Sequence, residues 1–390
     1  MSINNNFERL GGEYIFAKVS KKLKTVDKKG LIKLGIGDGV LPLPKPLVKS
    51  AAIAAREMGK TKTFKGYPPA SGYGFLKTAI KDYYRRIGAD ISEDSIFVND
   101  GAKSGLASIL DLFDNITAVI NVPSYPAYLS ANIIRGNKIH HLYANAQNNY
   151  LPTPDDLKLE NCLIYICSPD NPTGQVYGRD LLKTWVDFAN KTHSIILFDS
   201  AYSRYVTTNA PKSIFEIPGA KSCAIEVNSF SKFACFTGVR CGFVIIDEAL
   251  TFCGKSLNKL FAARQDALFN GVSYITQKCA AAVFTEKGER AAQKTVDYYL
   301  DNARQLKAVL KGGGVRVLDT TNSPYIWFEC PDNLSGEAFF DYLLDNYKIV
   351  GTPGGGFGKD CKNYFRLSAF CAKKDLSLAK IRLQKALKSL

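Results

Sequence analysis

Five short runs in the middle of this chain are apolar almost from end to end: Ala118–Val122, Cys162–Cys167, Ile195–Phe198, Cys223–Val227 and Cys241–Ile246. A strand with one wet face alternates apolar and polar side chains, whereas a strand covered on both faces does not. The runs therefore predict a mainly parallel sheet lying between helices, and helix-like stretches separate several of them. At 390 residues the chain exceeds one ordinary hydrophobic core. Beyond about residue 255 the texture changes. Val296, Tyr299, Leu300, Ala303, Leu306, Val309 and Leu310 share one helical face, and Gly312, Gly313 and Gly314 stop that helix. Strands follow near Tyr325–Phe328 and Tyr364–Ser368, with a closing helix from about Leu376. The expectation is a large domain over residues 41–255, a smaller αβ domain over 256–390, and an N-terminal arm, 1–40, that joins the smaller one.

The rest of the sequence mainly excludes. Met1 to Arg9 is polar and no apolar stretch reaches spanning length, so no membrane role and a cytoplasmic location are expected. Ten cysteines lie mostly inside the strand-like runs without paired metal-ligand spacing, and read as reduced core residues. His140, His141 and His193 make no ligand spacing either, so no metal is expected. The net charge is +15, but the lysines are dispersed and no nucleic-acid motif accompanies them. Small anionic substrates fit that charge better than nucleic acid does.

The chemistry is carried by four polar residues at strand ends or adjoining loops: Asn171 in Ser-Pro-Asp-Asn-Pro-Thr-Gly, Asp199 and Tyr202 in Phe-Asp-Ser-Ala-Tyr, and Lys232 in Ser-Phe-Ser-Lys. Open α/β sheets bind ligands at the carboxyl ends of their strands. Each motif alone is a cap or a loop; their order and spacing together are specific, and they resemble fold-type I aminotransferases, which use pyridoxal 5'-phosphate (PLP). The fold implied is aspartate-aminotransferase-like. A buried carboxylate, Asp199, suits the cofactor's protonated ring nitrogen. Asn171 and Tyr202 suit its phenolic oxygen. Lys232 suits the Schiff base and the base that moves the substrate's α proton. Ser229 and Arg240 stand where such enzymes place phosphate ligands, and Gly101, Ala102 and Lys103 resemble the turn that opens a helix onto the phosphate. Tyr125 matches the stacking aromatic, Tyr67 the tyrosine that reaches the phosphate from a neighbouring subunit, and Arg366 in Tyr-Phe-Arg-Leu-Ser the arginine that grips the α-carboxylate. The resemblance thus implies a homodimer with shared sites, acting on small amino and keto compounds. The run Gly351–Gly358 fails as a phosphate loop, because Pro353 and Asp360 occupy positions that need Gly and Ser or Thr. It is expected to let backbone approach the pocket.

From Glu13–Phe16 to Ser368–Phe370 the chain is similar to the LL-diaminopimelate aminotransferases. Asn99–Lys103, Phe236–Gly242, Phe269–Tyr274, Pro324–Trp327 and Tyr364–Phe370 carry that likeness, which assigns Lys103 and Asn270 to the far end of the substrate. Two segments depart. Where that family has Gly-Asp-Thr-Thr-Glu-Pro, this chain has Gly37-Asp38-Gly39-Val40-Leu41-Pro42; where it has Tyr-Gly-Pro, an acid and Gln-Gly, this chain has Tyr67-Pro68-Pro69-Ala70-Ser71-Gly72. Gly37 and Ala70 are accordingly the specificity candidates. Losing an acid at Ala70 removes the partner of a distal ammonium, so a substrate without one is expected, phosphorylated or otherwise anionic compounds among the candidates. Three other readings stay open: genuine LL-diaminopimelate transamination, decarboxylation on the same cofactor residues, and a non-catalytic PLP-binding sensor.

Overall fold

The computed structural model describes residues 3–10, 14–155 and 157–390; Glu13, where the family resemblance begins, lies outside them. Seven strands form the main sheet: β1 (Ile96–Asn99), β2 (Thr117–Val122), β3 (Lys138–Tyr143), β4 (Cys162–Cys167), β5 (Ile195–Asp199), β6 (Ala224–Ser229) and β7 (Gly242–Ile246). Their order across the sheet is β1-β7-β6-β5-β4-β2-β3. Only β7 runs against its neighbours, so β1 to β6 all point their carboxyl ends to one edge.

Successive residues of one strand enter opposite cores, as the pleat requires. Leu163, Tyr165 and Cys167 of β4 pack with Leu106 and Ile109 of helix α1 (Ala102–Ile109) and Tyr128 of α2 (Pro126–Arg135). Cys162, Ile164 and Ile166 pack on the other face with Leu182, Trp185 and Val186 of α3 (Arg179–Lys191). Both faces are covered, and the runs are apolar for that reason. The two edge strands were not among the sequence expectations. β3 carries exposed residues between half-buried ones, and β1 has only four residues.

A second core gathers Val19, Leu23, Ile32 and Leu34 with Ile326, Phe328, Phe339, Leu343, Phe365, Leu367, Leu376 and Leu383. Its sheet is antiparallel, β8 (Tyr325–Glu329), β10 (Tyr364–Ser368) and β9 (Thr352–Pro353) in that spatial order, and Ile32–Lys33 pairs with Ile349–Val350. The helices behind it are α4 (Glu286–Gly312), α5 (Gly336–Tyr347) and α6 (Lys373–Lys388). Helix α4 starts on Thr285, whose hydroxyl accepts the Gly288 N–H at 3.2 Å, and ends where the glycine run begins. Its first half, through Ala292, Val296 and Tyr299, packs on the large core; its second half, through Ala303, Leu306 and Leu310, packs on the small one. Leu257, Phe261, Cys279 and Val283 also belong to the large core. We therefore place the boundary between the cores inside α4, after Tyr299, and not at residue 256.

Two expectations change. Cys253 is exposed and Cys235 half-buried, so the cysteines are not uniformly core residues, although all ten are free thiols. The glycines at 354, 356 and 358 let their segment pack on Cys361, Ile15 and Val122, and Phe357 is the side chain it sends toward the pocket. No helix among the described residues is long and apolar enough to cross a membrane.

Candidate active site

At the carboxyl edge of the main sheet a cavity of about 380 Å³ is lined by Gly37, Ala102, Lys103, Tyr125, Asn171, Asp199, Tyr202, Ser229, Lys232, Arg240 and Arg366. These eleven are all sequence candidates. Their convergence follows from the topology. Asp199 ends β5, Ser229 ends β6 with Lys232 three residues on, Asn171 follows β4, Tyr125 follows β2, and Ala102 opens the helix after β1. Arg240 precedes the reversed strand β7, so it arrives at the same edge. Gly37 comes from the arm, and Arg366 from β10 of the small sheet.

Asp199 is buried in the floor. Its carboxylate accepts the Tyr128 hydroxyl at 2.7 Å and the Ala201 N–H at 3.0 Å. Burial pushes its carboxyl above the usual range, while Tyr128, the Ala201 N–H and the Lys232 charge pull the other way. Lys232 donates to the Gly37 carbonyl, with its ammonium 5.5 Å from the centre of the Phe370 ring. The Tyr202 and Tyr325 hydroxyls are 2.7 Å apart, and burial, then Tyr325, raises the Tyr202 phenol well above its ordinary value. Arg366 is 1% exposed. Nη1 donates to Asn171 Oδ1 and Nη2 to the Gly35 carbonyl, both at 2.6 Å, and Nε has no partner. The guanidinium lies 4.2, 4.8 and 5.3 Å from the Tyr325, Phe357 and Phe16 rings. No described carboxylate forms an ion pair with it.

One end of the cavity is built for an anion. Arg240 Nη1 donates to Ser231 Oγ at 3.3 Å, and the Ser229 and Ser231 hydroxyls are 3.0 Å apart. Helix α1 begins there, with its first N–H groups lacking intrahelical partners. Its N-cap, Gly101, has φ of +126°, and a Cβ at that position would fall 2.3 Å from Arg240 Nη2. The positive φ favours glycine there, and a side chain would push the guanidinium away from the helix end. A phosphate fits this end, a cationic ring nitrogen fits the under-compensated carboxylate of Asp199, and an amine, Lys232, stands over the space between. This donor set fits PLP.

Three candidates lie elsewhere. Tyr67 is 86% exposed, Asn270 is exposed and Ala70 half-buried. They sit together, since a Cβ on Gly271 would approach Pro69 O at 2.7 Å and Pro68 at 2.9 Å. None of them lines the cavity of its own chain. The sequence reading missed Tyr128, Ser231 and Tyr325, all of which line it. Tyr128 had a local signal, one helical turn after Tyr125, and Ser231 stands beside Lys232 in its motif. Tyr325 had none.

The chain belongs to the aminotransferase class I and II family, whose model matches residues 29–381. With that fold and site it is a PLP-dependent aminotransferase. It is 41% identical over 392 residues to an LL-diaminopimelate aminotransferase of Agathobacter rectalis, covering 94% of this chain and 95% of the relative. It is 39% identical over 410 residues to one from Bacteroides fragilis, covering 99% of each. The solved L,L-diaminopimelate aminotransferase from Chlamydomonas reinhardtii superposes with a TM-score of 0.92 at 32% identity, over 99% of this chain and 98% of that one.

Proposed function

We propose that this enzyme transfers amino groups between an α-amino acid and a keto compound, and that its preferred substrate lacks a distal ammonium. When bound, PLP withdraws electrons from the substrate's α carbon. Ser229, Arg240 and the α1 end at Ala102 and Lys103 would hold its phosphate, Asp199 its ring nitrogen, Asn171 and Tyr202 its phenolic oxygen, and Tyr125 would stack on the ring. Lys232 Nζ would hold the cofactor and, as a free amine, would move the α proton. Arg366 binds and orients the α-carboxylate, and the rings of Phe16, Tyr325 and Phe357 exclude water from that bond.

Arg366 carries the aminotransfer reading. A buried cation without an anion is costly unless a ligand supplies one, and this one faces the same cavity as Lys232. The substrate reading rests on Ala70. The segments that carry Tyr67, Ala70 and Asn270 meet where Gly271 packs on Pro68 and Pro69, and Tyr67 is 86% exposed there. In a homodimer that surface would complete the partner's cavity, and at Ala70 it brings a methyl group instead of an acid. We also place the enzyme in the cytoplasm. The names of the relatives favour a second reading, LL-diaminopimelate itself as substrate.

One donor screen decides between the two. Purified holoenzyme is given LL-diaminopimelate, then amino acids with neutral, anionic or phosphorylated far ends, in wild type and Ala70→Glu. Restoring a buried charge partner is worth roughly 2–5 kcal/mol, so Ala70→Glu should raise kcat/KM for LL-diaminopimelate by about 30-fold or more. Ordinary turnover of LL-diaminopimelate by the wild type, with no gain in the variant, refutes the altered-substrate reading.

A further inference from the structure

Tyr325 opens β8 on the small sheet and is 2% exposed. Its backbone is fixed, because its N–H donates to Ser323 Oγ at 3.1 Å and the neighbouring Pro324 carbonyl accepts from Ala369 N at 2.8 Å. Its side chain meets three parts of the site at once. The ring face carries the Arg366 guanidinium at 4.2 Å, nearer than either other ring. The hydroxyl lies 2.7 Å from that of Tyr202, and a Cβ on Gly37 would fall 2.1 Å from the same oxygen and 3.1 Å from Lys232 Nζ. Glycine at 37 is thus what leaves room for this hydroxyl beside the reactive amine.

We propose that Tyr325 is a positioning residue for both halves of the reaction, its hydroxyl orienting the Tyr202 phenol toward the cofactor and its ring holding Arg366 toward the substrate carboxylate. The first half rests on the proposed role of Tyr202. A phenol has one proton to give. With the Tyr202 proton committed to the cofactor's phenolic oxygen, the 2.7 Å contact is made by Tyr325 donating to Tyr202. A hydroxyl that accepts a hydrogen bond becomes a better donor, so Tyr325 strengthens whatever Tyr202 donates to. It thereby favours the deprotonated form of the cofactor's phenolic system.

The test is a double-mutant cycle read by absorbance. Holoenzyme spectra are titrated with pH in wild type, Tyr202→Phe, Tyr325→Phe and the double variant. Tyr325→Phe keeps the ring and should raise the titration midpoint by about half a pH unit, the scale of one hydrogen bond. Tyr202→Phe should raise it further, and adding Tyr325→Phe to it should then change nothing. Half-saturating amino acid should stay within about threefold in Tyr325→Phe and rise about tenfold or more in Tyr325→Leu, which loses the ring under Arg366. If the Phe variant does not accumulate, Tyr325→Leu completes the same cycle. A midpoint that moves in Tyr202→Phe but not in Tyr325→Phe, or equal additive shifts in the two backgrounds, overturns the inference while leaving the site assignment intact. A midpoint unmoved in Tyr202→Phe overturns both.

Discussion

Replacing Arg366 by lysine keeps the charge and removes the fork, and the structure sets the size of the effect. A guanidinium has five N–H donors. One goes to Asn171 and one to the Gly35 carbonyl, so three remain, the unpartnered Nε among them. That is enough for a carboxylate to take two parallel bonds without displacing either protein partner. An ammonium has three donors, and after the same two partners one is left. The variant therefore offers the carboxylate a single bond where the wild type offers two. A hydrogen bond to a charged group is worth about 1.5–3 kcal/mol, or about 10- to 150-fold. Single-turnover loss of the holoenzyme absorbance, followed against amino-acid concentration, separates binding from rate. The half-saturating concentration should rise by about 10- to 150-fold, with the limiting rate changed only a few-fold. A simple alkyl amine without a carboxylate should react equally slowly with both proteins. Wild-type saturation in Arg366→Lys, or an equal loss with the alkyl amine, refutes Arg366 as the carboxylate ligand.

Two further perturbations address the anion cradle and the packing behind the site. Gly101→Ala should weaken cofactor retention by about tenfold or more, because its Cβ would meet Arg240 Nη2 and its φ of +126° is strained for any side chain; titration of the apoenzyme with PLP checks this, and an unchanged midpoint counts against the cradle. Burial pulls the Lys307 ammonium down to about 8, where it donates to the Thr320 hydroxyl at 2.8 Å. Between that value and the ordinary lysine value the unfolded chain binds more protons than the native one, so wild-type stability should rise with pH above about 8, by at most about 3 kcal/mol. Urea midpoints at two pH values should show this rise in wild type and its absence in Lys307→Met; parallel curves would show that the lysine titrates normally.

The sequence is legible where a physical constraint acts along the chain. The runs around β4 to β7 match the observed strands to within a residue or two, because burial on both faces leaves no room for polar residues. β3 escapes because it is an edge strand, and its His140 and His141 are both exposed. The longer helical texture after residue 255 is real, but texture reports secondary structure, not which core an element joins. Helix α4 shows this most clearly, one amphipathic stripe serving two cores. The motif residues of the site were readable for a related reason. Asn171, Asp199, Ser229 and Lys232 lie at or just beyond strand ends, and strand ends were predictable.

Contacts that cross between the two cores left no such trace. Tyr202 and Tyr325 are 123 residues apart, and Asn171 and Arg366 are 195 apart. Those two bonds tie the small sheet to the edge of the large one, while that from Arg366 to the Gly35 carbonyl, which also accepts from the Thr352 hydroxyl, holds the N-terminal arm on the small sheet. The bonds place the proposed cofactor ligands Asn171 and Tyr202 in direct contact with the proposed carboxylate site. On the proposed roles, a carboxylate held at Arg366 would sit one hydrogen bond away from Asn171, a group that faces the cofactor. The two departures at Gly37–Pro42 and Tyr67–Gly72 fall outside this linked set except for Gly37, which keeps its place beside Lys232 and Tyr325. On the proposed function, chemistry at the α carbon and selection at the far end of the substrate would be carried by separate surfaces. The proposed change of substrate at Ala70 therefore requires no change in the residues around Lys232.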